Sequence, residues 1–219
     1  MMNDLTLDEL KPLLAAELPR HAGFDGWTPL AVERTAEALG VDPLVAGLVF
    51  ASPVEMIDAW FASVDTAMFA TFSPEALSAM KIRARISALV ETRLDLMLPH
   101  REALRRALSI LAMPQNLRRA ARLGWRAADT MWRAAGDAAT DYNHYTKRAI
   151  LASVYAATMT VFLDDESENL ADTRAFLGRR IEGIMQFEKV KAKFAGKNDG
   201  VDRYFSPARL FGRLRYPAS

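Results

Sequence analysis

The stretch "WRAAGDAATDYNHYTKRAIL", from Trp132 to Leu151, gathers the side chains best suited to chemistry: Asp137, Asp141, Tyr142, His144, Tyr145, Lys147 and Arg148. On a helix, a spacing of three sets Asp141 beside His144, and a spacing of four sets His144 beside Arg148. An Asp–His pair can orient a general base. No nucleophile or second acid accompanies it, so the set falls short of a catalytic constellation. A plainer role is capping: Gly136 ends one helix because it tolerates positive φ, and Asp137, Thr140 or Asp141 starts the next. The other role open to so polar a break between apolar helices is a surface for a partner.

Metal chemistry finds little support. The chain has no cysteine, which excludes disulfides, thiolate nucleophiles and cysteine-ligated zinc. His21, His100 and His144 are scattered and form no paired histidine motif. The acidic run "DDESE", Asp164 to Glu168, lacks the alternating ligands and turn glycine of a calcium loop and reads as a solvated inter-helix loop. Neither a metal nor another cofactor is expected.

Charge is distributed unevenly behind a net value of +1. Residues 22–60 carry Asp25, Glu33, Glu37, Asp42, Glu55 and Asp58 against Arg34 alone. Residues 191–219 reverse this, with Lys191, Lys193, Lys197, Arg203, Arg209, Arg213 and Arg215 against Asp199 and Asp202. An acidic head disfavours nucleic acid, and a basic tail favours an anionic surface. Arg101, Arg105, Arg106, Arg118, Arg119, Arg122, Arg126 and Arg133 lie between them without interleaved aromatics, which fits a solvated or membrane-facing side better than a nucleic-acid stripe.

The elements that must position these residues are helices. Hydrophobic residues make up 51% and charged residues 25%, the balance of a folded chain and not of a disordered one. Thr28-Pro29, Asp42-Pro43, Ser52-Pro53 and Ser73-Pro74 each join a capping side chain to a proline suited to the first helical position. Ser52 and Glu55 have capping-box spacing, and Gly40 follows a helix as its C-terminal cap. Thr6 and Glu9 have the same spacing, but Pro12 would then fall inside the helix, which moves the expected start toward Lys11. Longer helices are expected near 53–72, 80–98, 101–112, 115–135, 142–163 and 171–194, with no alternating β pattern. Tyr145, Ala149, Ala152, Tyr155, Ala156, Met159 and Phe162 form an apolar stripe at helical spacing. With Phe176, Leu177, Ile181, Ile184, Met185 and Phe187 of the last long helix it suggests a bundle or dimer seam. The fold class is all-α, organised as 1–60, a helix-turn-helix-like segment; 61–195, a ligand-binding and dimerisation bundle; and 196–219, a linker and basic tail.

"FDGWTPLAVERTAEALGVDPLVAGLVFASPVEMIDAWF" has the order of a helix-turn-helix and resembles the N-terminal part of TetR-type repressors. Its short helix at 43–50, "PLVAGLVF", offers no Arg, Lys, Asn or Gln to read a base or hold a phosphate. Scaffold is the better reading, with a TetR-type ligand-responsive regulator kept as the alternative.

"AGDAATDYNHYTKRAILASVYAATM", with "FDGWT" before it and "TRAFLGRRIEGIMQFEK" after it, resembles the Coq-nine family of ubiquinone biosynthesis accessory proteins. The resemblance implies a TetR-like fold without DNA binding, a homodimer, no enzymatic activity, and an apolar pocket for lipid or isoprenoid. It also implies a partner, the Coq-seven di-iron hydroxylase, which would perform the chemistry. By motif, the partner surface falls on Met131, Asp141, His144, Tyr145, Lys147 and Arg148; histidine stands at 144 where the family commonly has tryptophan. The residues assigned to the lipid pocket are Leu104, Leu108, Trp125, Trp132, Tyr155, Met159 and Phe162. Core packing remains open for the two tryptophans.

On a helical wheel from Pro207, Leu210, Phe211 and Leu214 oppose Arg209 and Arg213, and Tyr204 and Phe205 precede them. Such a segment can lie in the headgroup layer, each arginine adding about 1 kcal/mol near anionic lipid. No run of roughly 18 apolar residues and no apolar signal core is present. The expected location is the cytoplasm, peripheral on the inner membrane.

Overall fold

The computed structural model describes residues 5–137 and 142–195, with side chains over 5–73, 75–137 and 144–184. These residues form ten α-helices and no strand: α1 (Leu7–Asp25), α2 (Pro29–Leu39), α3 (Pro43–Ala46), α4 (Pro53–Thr71), α5 (Pro74–Ala79), α6 (Ile82–Met97), α7 (Arg101–Leu111), α8 (Leu117–Ala134), α9 (Tyr142–Asp164) and α10 (Ala171–Ala195). The all-α expectation holds. Two compact units divide the chain, Met1–Leu177 and Gly178–Ser219.

Each proline-marked start is real. Thr28, Asp42, Ser52 and Ser73 all accept a hydrogen bond from a backbone N–H in the first turn of α2, α3, α4 and α5. Gly40 closes α2 in the left-handed conformation, at φ 67°. Two cap expectations need correction. Thr6 and Glu9 do form a reciprocal capping box, so α1 starts at Leu7 and carries both Pro12 and Pro19 inside it. The box and the burial of Leu10, Leu14 and Leu18, each stabilising by about 1.5–3 kcal/mol, outweigh the backbone bond that Pro12 cannot make. At α4 the capping box is only half made. Ser52 accepts from the Glu55 N–H, but the Glu55 carboxylate accepts from the Ala51 N–H and from Lys11 instead.

Inside the first unit α1 packs on α2, α4 and α7, and α8 pairs with α9. Trp27 fixes the first of these layers: its indole N–H donates to the Ala103 carbonyl at 3.0 Å, and its ring lies 5.3 Å from that of Trp60. The apolar stripe of α9 is rotated from the one expected. Leu151, Val154, Tyr155, Thr158, Met159 and Phe162 are buried, whereas Tyr145 and Ala149 face outward. Arg148, buried between those two exposed positions, sets this rotation through its ion pairs.

Candidate functional site

The break between α8 and α9 is built around a buried arginine. Gly136, at φ 84°, turns the chain out of α8 and delivers Asp137 toward α9. Arg148 is 1% exposed and donates through Nε to Asp129 of α8 at 2.5 Å, and through Nη1 to Asp137 at 3.2 Å and to the His144 carbonyl at 3.1 Å. Lys147 closes the other side of Asp137 at 2.7 Å. Trp132 donates to the Lys147 carbonyl at 3.1 Å, and the ammonium of Lys147 lies 5.3 Å from the indole centroid. Burial works to raise Asp137, but the hydrogen bonds from Lys147 and Arg148 prevail and hold it below the usual carboxylate range.

This geometry divides the expected partner residues. Tyr145 is 61% exposed, its ring tilted 6.0 Å from that of Trp125 and edge-on to His144 at 5.1 Å. His144 and Lys147 are half-buried beside it. Met131 and Arg148 are interior, so they support the surface from beneath and do not form it. Asp141 lies outside the described residues. The site is a latch from which Tyr145 projects.

Further along the same helix pair, toward the start of α8, lies an apolar cavity of about 240 Å³ between α4, α6, α7, α8 and α9. Leu108, Tyr155 and Met159 line it as expected. Leu104, Trp125, Trp132 and Phe162 are not among its lining residues: Leu104 and Phe162 are wholly buried in the core, and the two tryptophans belong to the latch. Phe61, Leu111, Leu117, Ala120, Leu123, Gly124 and Ala127 form much of the wall, and sequence reasoning missed them. Gly124 offered a signal, a glycine in the middle of an amphipathic helix, and a Cβ placed there would meet nothing within 4 Å. Arg93 offered none. Its guanidinium is 1% exposed, ion-paired with Asp65 of α4, and donates through Nε to the Tyr155 hydroxyl at 3.1 Å, giving the apolar wall one polar edge.

A profile of the COQ9 family matches residues 117–188, which run from the start of α8 through α9 into α10. The chain is 34% identical over 167 residues to ubiquinone biosynthesis protein COQ9, mitochondrial, of Rattus norvegicus, covering 73% of this chain and 54% of that protein. It is 33% identical over 175 residues to the Homo sapiens protein of the same name, covering 77% and 54%. Through this region the chain belongs to the COQ9 family. It spans about half the length of the curated relatives it matches. The family match takes in both helices of the latch and two walls of the cavity.

A TetR transcriptional regulator from Nitrosomonas europaea ATCC 19718 has the same fold, with a TM-score of 0.64 and 23% identity, covering 79% of this chain and 96% of that one. In this COQ9-family chain the short helix of the helix-turn-helix-like segment is α3. It is four residues long, shorter than the expected 43–50, and it and the turn after it expose Leu44 and Leu48.

The run at 164–168 also departs from expectation. Asp164 is exposed and paired with Arg105, but Asp165 is 5% exposed and is no solvated loop residue. It accepts from the hydroxyl and N–H of both Ser167 and Thr173, capping the approach to α10. Burial alone would raise its pKa; these four bonds override that and depress it strongly. Among the described residues no three metal-ligating side chains converge, and no helix is long and apolar enough to cross a membrane. Tyr204, Phe205, Arg209, Leu210, Phe211, Arg213 and Leu214 lie outside the described residues.

Proposed function

We propose that the chain is a non-enzymatic accessory protein of ubiquinone biosynthesis, which holds a lipid or isoprenoid quinone intermediate in the α4–α9 cavity and presents it to a di-iron hydroxylase of the Coq-seven type. The observation that carries this reading is the apolar cavity in a chain whose relatives are named for ubiquinone biosynthesis. Pockets for whole drug-sized ligands start near 300 Å³, so about 240 Å³ suits one end or a segment of a long apolar chain. Each CH₂ taken from water into such a lining gains about 0.8 kcal/mol, which lets the cavity compete with a bilayer for part of a polyprenyl tail. The projecting Tyr145 supports a hydroxylase contact at the latch, and the basic segment at 203–215 supports a peripheral seat on the inner membrane. We assign a homodimer as the working form.

The test is the content of the purified protein. Native mass spectrometry and lipid extraction should find bound phospholipid or isoprenoid, and Gly124→Leu should carry at least tenfold less. That substitution fills space where a Cβ meets no atom and improves helix propensity by about 0.8 kcal/mol, so the fold is retained. Wild-type protein free of lipid would count decisively against the proposal. The second reading, a TetR-type ligand-responsive regulator, is favoured by the fold likeness alone. It predicts salt-sensitive retardation of a palindromic duplex from the upstream region, whereas an uncharged α3 predicts none.

A further inference from the structure

The turn from α7 into α8, "AMPQNLRRAAR" at 112–122, contains three arginines and no acid. Met113 is 44% exposed and Leu117 54%, large apolar side chains at the tip of the elbow. Arg118, Arg119 and Arg122 are exposed on the helix that leaves it. Elsewhere on α8 the arginines are used internally: Arg126 pairs with Asp58, and Arg133 with Asp129 at 2.8 Å. Among the described residues no ion pair engages Arg118, Arg119 or Arg122. Glu55 lies within the field of Arg119, but its carboxylate is bonded to Lys11 and the Ala51 N–H.

The same elbow borders the cavity. Ala112 and Leu117 line it and are also exposed, so its wall meets the outside here, as it also does at Ala156 of α9. An apolar tip flanked by uncommitted cations is the chemistry of the acyl–headgroup boundary: leucine and methionine enter the apolar edge while guanidiniums meet lipid phosphates. We propose that the α7–α8 elbow is a further face, in addition to the basic segment at 203–215, on which the protein meets an anionic bilayer, so that the cavity opens directly onto the lipid. The use assigned to this face rests on the lipid reading of the cavity; its test does not.

Because the chain has no cysteine, Met113→Cys in the full-length protein can carry a single environment-sensitive fluorophore. With phosphatidylcholine vesicles containing phosphatidylglycerol its emission should rise and shift to the blue, and high salt should reverse the change. Phosphatidylcholine alone should give much less, and the same label at Glu33→Cys on α2 should stay silent. Arg118→Glu, Arg119→Glu and Arg122→Glu together should weaken vesicle partition by about a hundredfold or more, at roughly fivefold for each arginine lost. Acids at 118 and 119, in the first turn of α8, suit the helix dipole, and 122 is exposed on the next turn, so circular dichroism should report an intact fold. Gly124→Leu should lose bound lipid and keep vesicle binding, which separates this proposal from the cavity reading. A silent Met113 label, or a triple variant that partitions like the wild type, would overturn it.

Discussion

Arg148 shows how much one side chain decides here. It is buried with two carboxylates, Asp129 and Asp137, and removing it takes a cation from both. Arg148→Met should therefore lower the unfolding free energy by about 3 kcal/mol, at the low end for a broken buried pair because Lys147 and Arg133 still reach the same carboxylates. Urea denaturation measures this. Arg105→Met, at an exposed pair, should cost less than about 1 kcal/mol. Asp165 makes a second test through pH. Its folded pKa is depressed, while the unfolded carboxyl titrates near about 3.9. Its contribution is complete above that value and is lost as pH falls toward the folded pKa. The stability gap between wild type and Asp165→Asn should accordingly be widest near neutral pH and narrow steadily below about pH 4. Urea midpoints across that range check it.

At the scale of elements, α1 carries a backbone cost that can be relieved. Pro12 sits inside the helix and is exposed, so its ring packs on little while its missing N–H forfeits a turn bond. Pro12→Ala should raise the thermal midpoint, by up to about 3 kcal/mol of stability. Buried Pro19 should gain less, because alanine there leaves a gap. The helices were legible for a local reason: Thr28, Asp42, Ser52 and Ser73 bond to N–H groups two or three residues away, a distance visible in sequence. What escaped was long-range. Asp65 and Arg93 meet across α4 and α6, and nothing in either local pattern signals the other. Asp165 looked solvated because its neighbours are charged, yet Thr173, eight residues on, draws it inside. The α9 stripe was misphased for the same reason: tyrosine and alanine suit either face, and the arginine that settles the matter is read from sequence as a surface residue.

For the whole molecule, the latch and cavity occupy successive lengths of the α8–α9 pair, the latch through Asp129, Asp137 and Arg148, the cavity through Gly124, Tyr155 and Met159. One helix pair thus links the proposed lipid site to the proposed hydroxylase surface. Tyr145 is the residue on which that link can be tested, since it projects from the latch and, among the described residues, rests on Trp125 and His144. An exposed aromatic with a rigid backing is the kind of side chain that anchors an interface, where truncation costs about 2 kcal/mol or more. Tyr145→Ala should therefore leave the unfolding midpoint nearly unchanged and weaken binding of purified di-iron hydroxylase about thirtyfold or more, measured by calorimetry. Lipid content should be unaffected, because Tyr145 does not line the cavity. Equal hydroxylase affinity in both proteins would remove the latch from the partner surface, and binding would then have to be sought on another face of the fold.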